Sequence, residues 1–231
     1  MQTVLIYNVY AIDLEIIYNV WRRRIARGFW IADMAFLMDE VPLHLKEIEN
    51  PTLKITSRTV FKDPETGIYT LPQRSISVYD LDQINFIRHI FYDQPLWRLL
   101  PAKALTEDEI TVKVTHSTIK GKQQLLIEKI GLYGELKKLY LLDEAKIPKN
   151  VMKFMIDTER VKALLLLMIN TSYFDLPKLA VEIYRDFIDL HKIAPQPVIL
   201  EEALRFYTSR HKGPRLKKLK AKGEYTTFGK G

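Results

Sequence analysis

The chain has 231 residues, 47% of them apolar and 27% charged, enough to bury a core in one large domain or two modest ones. It contains no cysteine, which excludes disulfides, thiolate zinc sites and cysteine nucleophiles and fits a reducing compartment. The net charge of +7 is carried wholly by residues 210–231, where eight bases (Arg210, Lys212, Arg215, Lys217, Lys218, Lys220, Lys222 and Lys230) stand against one acid, Glu224.

The opening MQTVLIYNVYAIDLEII has no basic start and no small-residue cleavage site, so no signal peptide is expected. Residues 13–28 predict a helix: Asp13 suits its start, Gly28 its end, and the arginines gather toward the C-terminal half, where the dipole favours them. Helices are expected near 31–38 and 42–49, with Pro42 in a first turn and Pro51 forbidding continuation. From 52 to 79, TLKITSRTVF and IYTLPQRSISVY flank the turn-forming KDPETG and predict an extended hairpin, with Pro72 at an edge or irregularity.

DLDQINFIRHIF then predicts a helix with Leu81, Ile84, Ile87 and Phe91 on one face. A short helix is expected near 96–100 before Pro101. Residues 102–109 form a boundary. EITVKVTHS and QQLLIEKI predict two strands across a Lys-Gly-Lys turn, and GLYGELKKLYLL fits either a helix or a strand. A linker is expected at 143–150.

In the last third, 157–172 predicts a helix. A second helix, capped by Asp175, carries Leu176, Leu179, Ala180, Ile183, Phe187 and Leu190 at helical spacing. A third is expected at 198–210. RLKKLKA and EYTTFG then predict a terminal hairpin across Lys222 and Gly223. Three helices followed by a hairpin is the winged-helix order. The most apolar run, VKALLLLMI at 161–169, is too short to span a bilayer, so no membrane partner and a cytoplasmic location are expected.

RRRIARGFWIADMAFLMDEVPLHLKEIENP resembles the XRE (lambda-repressor-like) helix-turn-helix family, whose frame falls here on Arg24, Gly28, Asp33, Met34, Ala35 and Glu49. YDLDQINFIRHIFYDQPLWRLLPAKAL resembles the remaining helices of that domain, so the resemblance spans 13–105, interrupted by the 52–79 hairpin. It implies a third helix presented to the major groove, with Lys46 toward DNA. Independently of the family, Ala35 is small where two helices must approach, and Met34, Leu37, Leu45 and Ile48 can form a buried seam. The reading face departs from the frame. Asp39 and Glu40 repel phosphate, and Val41, Pro42 and Leu43 offer base edges no donor. Val41 and Leu43 better suit a protein surface, most simply a second copy of the chain.

The expected fold is therefore mainly α with β-hairpins (α+β). It comprises an XRE-like helix-turn-helix domain over 1–105, a β-hairpin connector over 106–150, and a winged-helix-like domain over 151–231. In the last, Arg205 and Arg210 can reach guanine edges or phosphates, while Lys212, Arg215, Lys217, Lys218, Lys220 and Lys222 give the basic footprint of a polyanion partner. His44, His89, His116, His191 and His211 lack ligand spacing, and no phosphate loop or nucleophile elbow is present, so no metal, cofactor or enzymatic activity is expected. The residues predict a duplex-DNA-binding transcriptional regulator acting mainly through its C-terminal domain, with a possible homodimer. The alternatives they leave open are a protein-interaction module with a degenerate helix-turn-helix, and an RNA-binding factor.

Overall fold

A computed structural model describes residues 2–56, 61–71, 77–91, 109–146, 157–220 and 225–231, and shows a mixed α+β chain. It forms two compact units that interleave in sequence: residues 1–26, 43–84 and 93–149 in one, and 27–42, 85–92 and 150–231 in the other. The sequence reading has consecutive segments, meeting near 105 and 150.

The first unit is built on an element that the sequence reading did not assign. Strand β1 (Gln2–Tyr10) buries Leu5, Tyr7 and Val9 in strict alternation, the period of a half-buried strand. Its neighbours are β2 (Phe61–Lys62), β3 (Tyr69–Thr70), β4 (Glu109–Ile119), β5 (Lys122–Ile130) and β6 (Leu136–Asp143), in the sheet order β2-β3-β1-β4-β5-β6. β1 runs antiparallel to β4 from Gln2 opposite Ser117 to Tyr10 opposite Glu109, and parallel to β3. The expected β-hairpins are thus parts of a six-stranded sheet. GLYGELKKLYLL resolves as strand, contributing β6. Between β4 and β5, Lys120 and Gly121 both have positive φ (51° and 76°), the two-residue turn that matches strand twist.

Helix α1 (Ala11–Arg27) places Leu14, Trp21 and Ile25 against Leu5, Val112, Val114, Leu125, Ile127 and Leu142 of the sheet. Tyr18, partly buried at the edge of this core, stacks on Tyr140 with centroids 4.3 Å apart. Helix α3 (Pro42–Glu49) buries Leu45 and Ile48. After it, Asn50 Oδ1 accepts from the Thr52 amide and hydroxyl, which turns the chain into a short 3-10 helix (Pro51–Thr56) where extended structure was expected. Among the described residues the expected hairpin shrinks to β2 and β3. The turn between them is held by Asp63 Oδ1, which accepts from the amides of Glu65 and Thr66. Pro72, the helix expected at 96–100, residues 102–108 of the first boundary and 147–150 of the second lie outside the described residues.

The second unit gathers α2 (Ile31–Met38), α5 (Thr158–Ile169), α6 (Ala180–His191) and α7 (Pro197–Thr208) with strands β7 (Lys178–Leu179), β8 (Leu216–Leu219) and β9 (Thr227–Lys230), in antiparallel order β7-β9-β8. α7 packs on α5 and α2, and α2 also packs on α6. Met34, Ala35 and Leu37 are buried as expected, but this packing makes α2 a member of the C-terminal unit. Phe29 stands edge-on to Tyr184 and parallel to Phe91, with centroids 6.2 and 6.5 Å away.

Two apolar faces differ from expectation. In α4 (Leu81–Ile90), Asp80 and Gln83 exchange hydrogen bonds as a capping box. Leu81 therefore sits before the first buried turn, 84% exposed, and the buried face is Phe86, Ile87, Ile90 and Phe91. Asp175 does not cap α6, because Lys178 and Leu179 first pair with β9 and the helix begins only at Ala180. Leu176 is consequently outside the helix and exposed; within α6 Ala180, Ile183 and Phe187 are buried and Leu190 is exposed. Asp157 caps the preceding helix, its Oδ1 accepting from the Arg160 amide at 2.7 Å at the start of α5.

Candidate nucleic-acid interface

The basic residues converge where α7 runs into β8, and α2 fixes both. Asp33, 2% exposed on α2, accepts from its own helix start through the Trp30 amide (2.7 Å) and from the start of α7 through the Val198 amide (3.0 Å). One carboxylate thus satisfies orphan donors at two helix N-termini, where the dipoles also favour its charge. Pro197 at the first position of α7 removes a third donor without loss.

From that anchored start, α7 buries Leu200, Ala203, Leu204 and Tyr207 and leaves Val198, Glu202, Arg205 and Phe206 exposed. Arg205 is engaged along the helix by Glu201, at 2.8 Å. Arg210, just beyond the helix, lies over the rings of Phe206 and Tyr207, 5.2 and 5.7 Å from their centroids, so its guanidinium has a fixed resting place at the helix end.

The hairpin follows through Gly213 (φ 80°). On β8 only Leu216 is buried, while Lys217, Lys218 and Leu219 are exposed on this edge strand, and Lys212 and Arg215 are exposed before it. Among the described residues, none of Lys212, Arg215, Lys217 and Lys218 is ion-paired to an acid. An open groove of about 600 Å³ runs between the end of α7 and β8, lined by Arg210, His211, Arg215, Lys217 and Lys218 among others.

Lys220 differs from its neighbours. Its ammonium meets Asp39 Oδ2 at 2.9 Å, and the same oxygen accepts from the Thr226 amide at 2.8 Å. Asp39 closes α2 in the left-handed conformation (φ 51°), so it ties the end of α2 to both strands of the hairpin. Burial acts to raise the Asp39 carboxyl, but the hydrogen bonds from Lys220 and Thr226 and the lysine charge prevail and hold it below its ordinary value. Asp39, which the sequence places among the acids expected to repel phosphate, is ion-paired to Lys220 in the structure. Lys230 is likewise 3.4 Å from Asp175. Lys222 lies outside the described residues. Of the expected DNA-contacting bases in this segment, the hairpin pair Lys217 and Lys218 and the preceding Lys212 and Arg215 remain the exposed, uncommitted cations.

Lys46 is exposed on α3 and belongs to the first unit, whereas this cluster of bases belongs to the second. Val41 and Leu43 are 63% and 58% exposed, and fall in different units. The frame residues Arg24 and Glu49 meet in a buried two-pronged ion pair, with Nη2 2.6 Å from Oε2 and Nε 2.8 Å from Oε1. What the sequence reading missed is the use of α2's acids, Asp33 and Asp39, as fasteners within the C-terminal unit. The available signal was two carboxylates on either flank of the apolar Met34-Ala35-Phe36-Leu37-Met38.

Among the described residues no group of His, Asp and Glu is placed to hold a metal ion, and no helix is long and apolar enough to cross a membrane. No family model, curated protein or solved structure matches the chain.

Proposed function

We propose that the protein binds duplex DNA through a winged-helix arrangement in its C-terminal unit, as a transcriptional regulator without a catalytic step. In this reading α5, β7, α6, α7, β8 and β9 are the helix, strand, helix, reading helix and two wing strands of that arrangement. The strand order β7-β9-β8 supports it, because it seats the first short strand beside the last, as a wing requires. The observation that carries the reading is the placement of Lys217 and Lys218, exposed and free of acids among the described residues, on the strand that follows α7. Phosphates supply the anionic partner that such a strand lacks among the described residues.

In this reading α1 and α3 keep the XRE-like frame, supported by the meeting of Arg24 and Glu49, while α2 belongs to the C-terminal unit. Its role is architectural: α2 holds the reading helix and the wing through Asp33 and Asp39. Exposed Leu43 serves self-association.

The test is a fluorescence titration of a random labelled duplex with the full chain and with K217A/K218A at two salt concentrations. The paired substitution is expected to weaken binding and to flatten the log–log salt slope by about 1.8, at about 0.9 per phosphate contact. An unchanged slope overturns the wing assignment, and tighter binding to duplex RNA than to DNA overturns the DNA reading.

A further inference from the structure

We infer that the β5–β6 hairpin of the first unit is a second duplex contact, which seats the side chains of Leu132 and Tyr133 in the minor groove while Lys129 and Lys137 hold the flanking phosphates. The inference rests on the reading that the chain binds duplex DNA, but it uses none of the residues on which that reading stands.

The tip is a built turn. Gly131 donates to the Glu135 carbonyl at 2.9 Å, Gly134 donates to the Gly131 carbonyl at 3.0 Å with its own φ at 83°, and the Tyr133 amide donates to Glu135 Oε2 at 3.0 Å. This ordered backbone presents Leu132 at 98% and Tyr133 at 96% exposure, the two most exposed large apolar side chains among the described residues. An ordered turn that displays an aliphatic and an aromatic side chain outward has the form of the apolar wedges that enter base steps from the minor groove.

The stem supplies the charge. Lys129 stands directly opposite Lys137 in the antiparallel register, and both are exposed. Like charges opposed across a strand pair are destabilising. Among the described residues neither lysine forms an ion pair, although Glu109 and Glu135 line the same surface groove of the protein, so both lysines are open to an external anion. Lys129 and Lys137 stand one pair below the last ladder pair, Ile130 opposite Leu136, and the turn over 131–135 carries Leu132 and Tyr133 beyond it, within about 10 Å of the lysines at some three residue rises. A B-form minor groove is about 7.5 Å deep. The stem lysines therefore stand beside the groove's phosphate walls when the tip side chains are inside it. The same opposed lysines disfavour a second copy of this hairpin as the occupant.

The groove is about 6 Å wide, narrower than a two-stranded ribbon with its side chains, so entry by the tip must widen and bend the duplex. The experiment is fluorescence energy transfer between the ends of a short duplex containing a central TA step, with the full chain, L132A/Y133A and K129A/K137A. These four side chains are exposed, so the variants fold. L132A/Y133A is expected to abolish the bend while leaving the salt slope unchanged, and K129A/K137A to flatten the slope by about 1.8. A bend retained by L132A/Y133A overturns the inference. If K217A/K218A alone weakens binding while both hairpin variants behave as the parent, this inference falls and the wing reading stands. If the parent binds no duplex, both fall. Binding to phosphatidylserine vesicles that is lost in L132A/Y133A, with DNA bending intact, overturns it in favour of a lipid surface.

Discussion

Arg24 and Glu49, 25 residues apart, form a two-pronged ion pair in which both side chains are nearly sealed from solvent, at 6% and 5% exposure. Burial works to lower the arginine and to raise the carboxyl. The pull of Glu49 prevails at Arg24, which is held above its ordinary value, while Glu49 stays raised against the opposing pull of Arg24. The pair fastens the second half of α1 to the end of α3 within the first unit. Removing one partner leaves a buried, uncompensated charge, so Arg24→Met or Glu49→Gln is expected to cost about 3–5 kcal/mol in urea unfolding. The double variant R24M/E49L, apolar on both sides, is expected to recover most of that loss. A double variant as unstable as the singles would show that the geometry of the pair, not charge compensation, is what the fold needs.

Asp33 serves two helix starts at once. Asp33→Ala leaves the part-buried amides of Trp30 and Val198 without their acceptor and is expected to cost about 1–3 kcal/mol. Asp157→Ala removes a single exposed cap from α5 and is expected to cost about 1 kcal/mol. The two are separated by hydrogen exchange at Val198: faster in Asp33→Ala, unchanged in Asp157→Ala.

The elements legible in the sequence were those that carry their own punctuation. α2 and α3 are bounded by Gly28, Pro42 and Pro51, and Lys120-Gly121 joins two strands of clear alternation. β1 alternates as well, but an alternating run does not name the strand it pairs with. Its partners lie about a hundred residues on, in β4, and no local pattern announces such pairing. The units interleave for the same reason: α2 is amphipathic in isolation, and nothing local says that its apolar face belongs against α6 and α7. The basic hairpin was legible from charge alone, whereas the commitment of Lys220 to Asp39 was not, since it depends on a contact 181 residues long in sequence.

Asp39 gives a pH prediction. Its folded value lies below the ordinary 3.8, so its contribution to stability is present above that value and is lost as pH falls through the lower, folded one. Asp39→Asn keeps an acceptor for the Thr226 amide but loses the pairing with Lys220. The variant is expected to be less stable than the parent at neutral pH, with the difference closing below pH 3.8 in denaturant titrations. A difference that persists undiminished at lower pH would assign the effect to packing instead. Because Lys220 is released, the same variant is also expected to steepen the DNA salt slope, by up to about 0.9.

Ala35 is 2% exposed on a helix packed against α6 and α7. Ala35→Leu must force those helices apart and is expected to cost about 1–3 kcal/mol. Ala35→Gly makes no such demand, and is expected to lose only about 1 kcal/mol of helix propensity. Equal losses in thermal or urea unfolding would show that the contact around Ala35 has room to spare.

The final prediction ranks the candidate DNA contacts. Lys46 is a single exposed base on α3, whose exposed neighbours include Leu43 and whose preceding residues are acidic and apolar. Arg205 is exposed but already paired with Glu201, so a phosphate must displace an existing partner before it gains that arginine. Surface pairs of this kind contribute little, about 0–1 kcal/mol, so the displacement is possible but leaves a small net gain. Lys217 and Lys218 have no such competitor among the described residues. Lys46→Ala is therefore expected to leave the salt slope unchanged, Arg205→Ala to flatten it by less than one full contact, and K217A/K218A by about two contacts, or about 1.8 in slope. Glu201→Gln frees Arg205 and is expected to strengthen binding in the same titration. If Lys46→Ala proves the most damaging of these, α3 and not the α7–β8 region is the reading surface, and the two units have been given each other's roles.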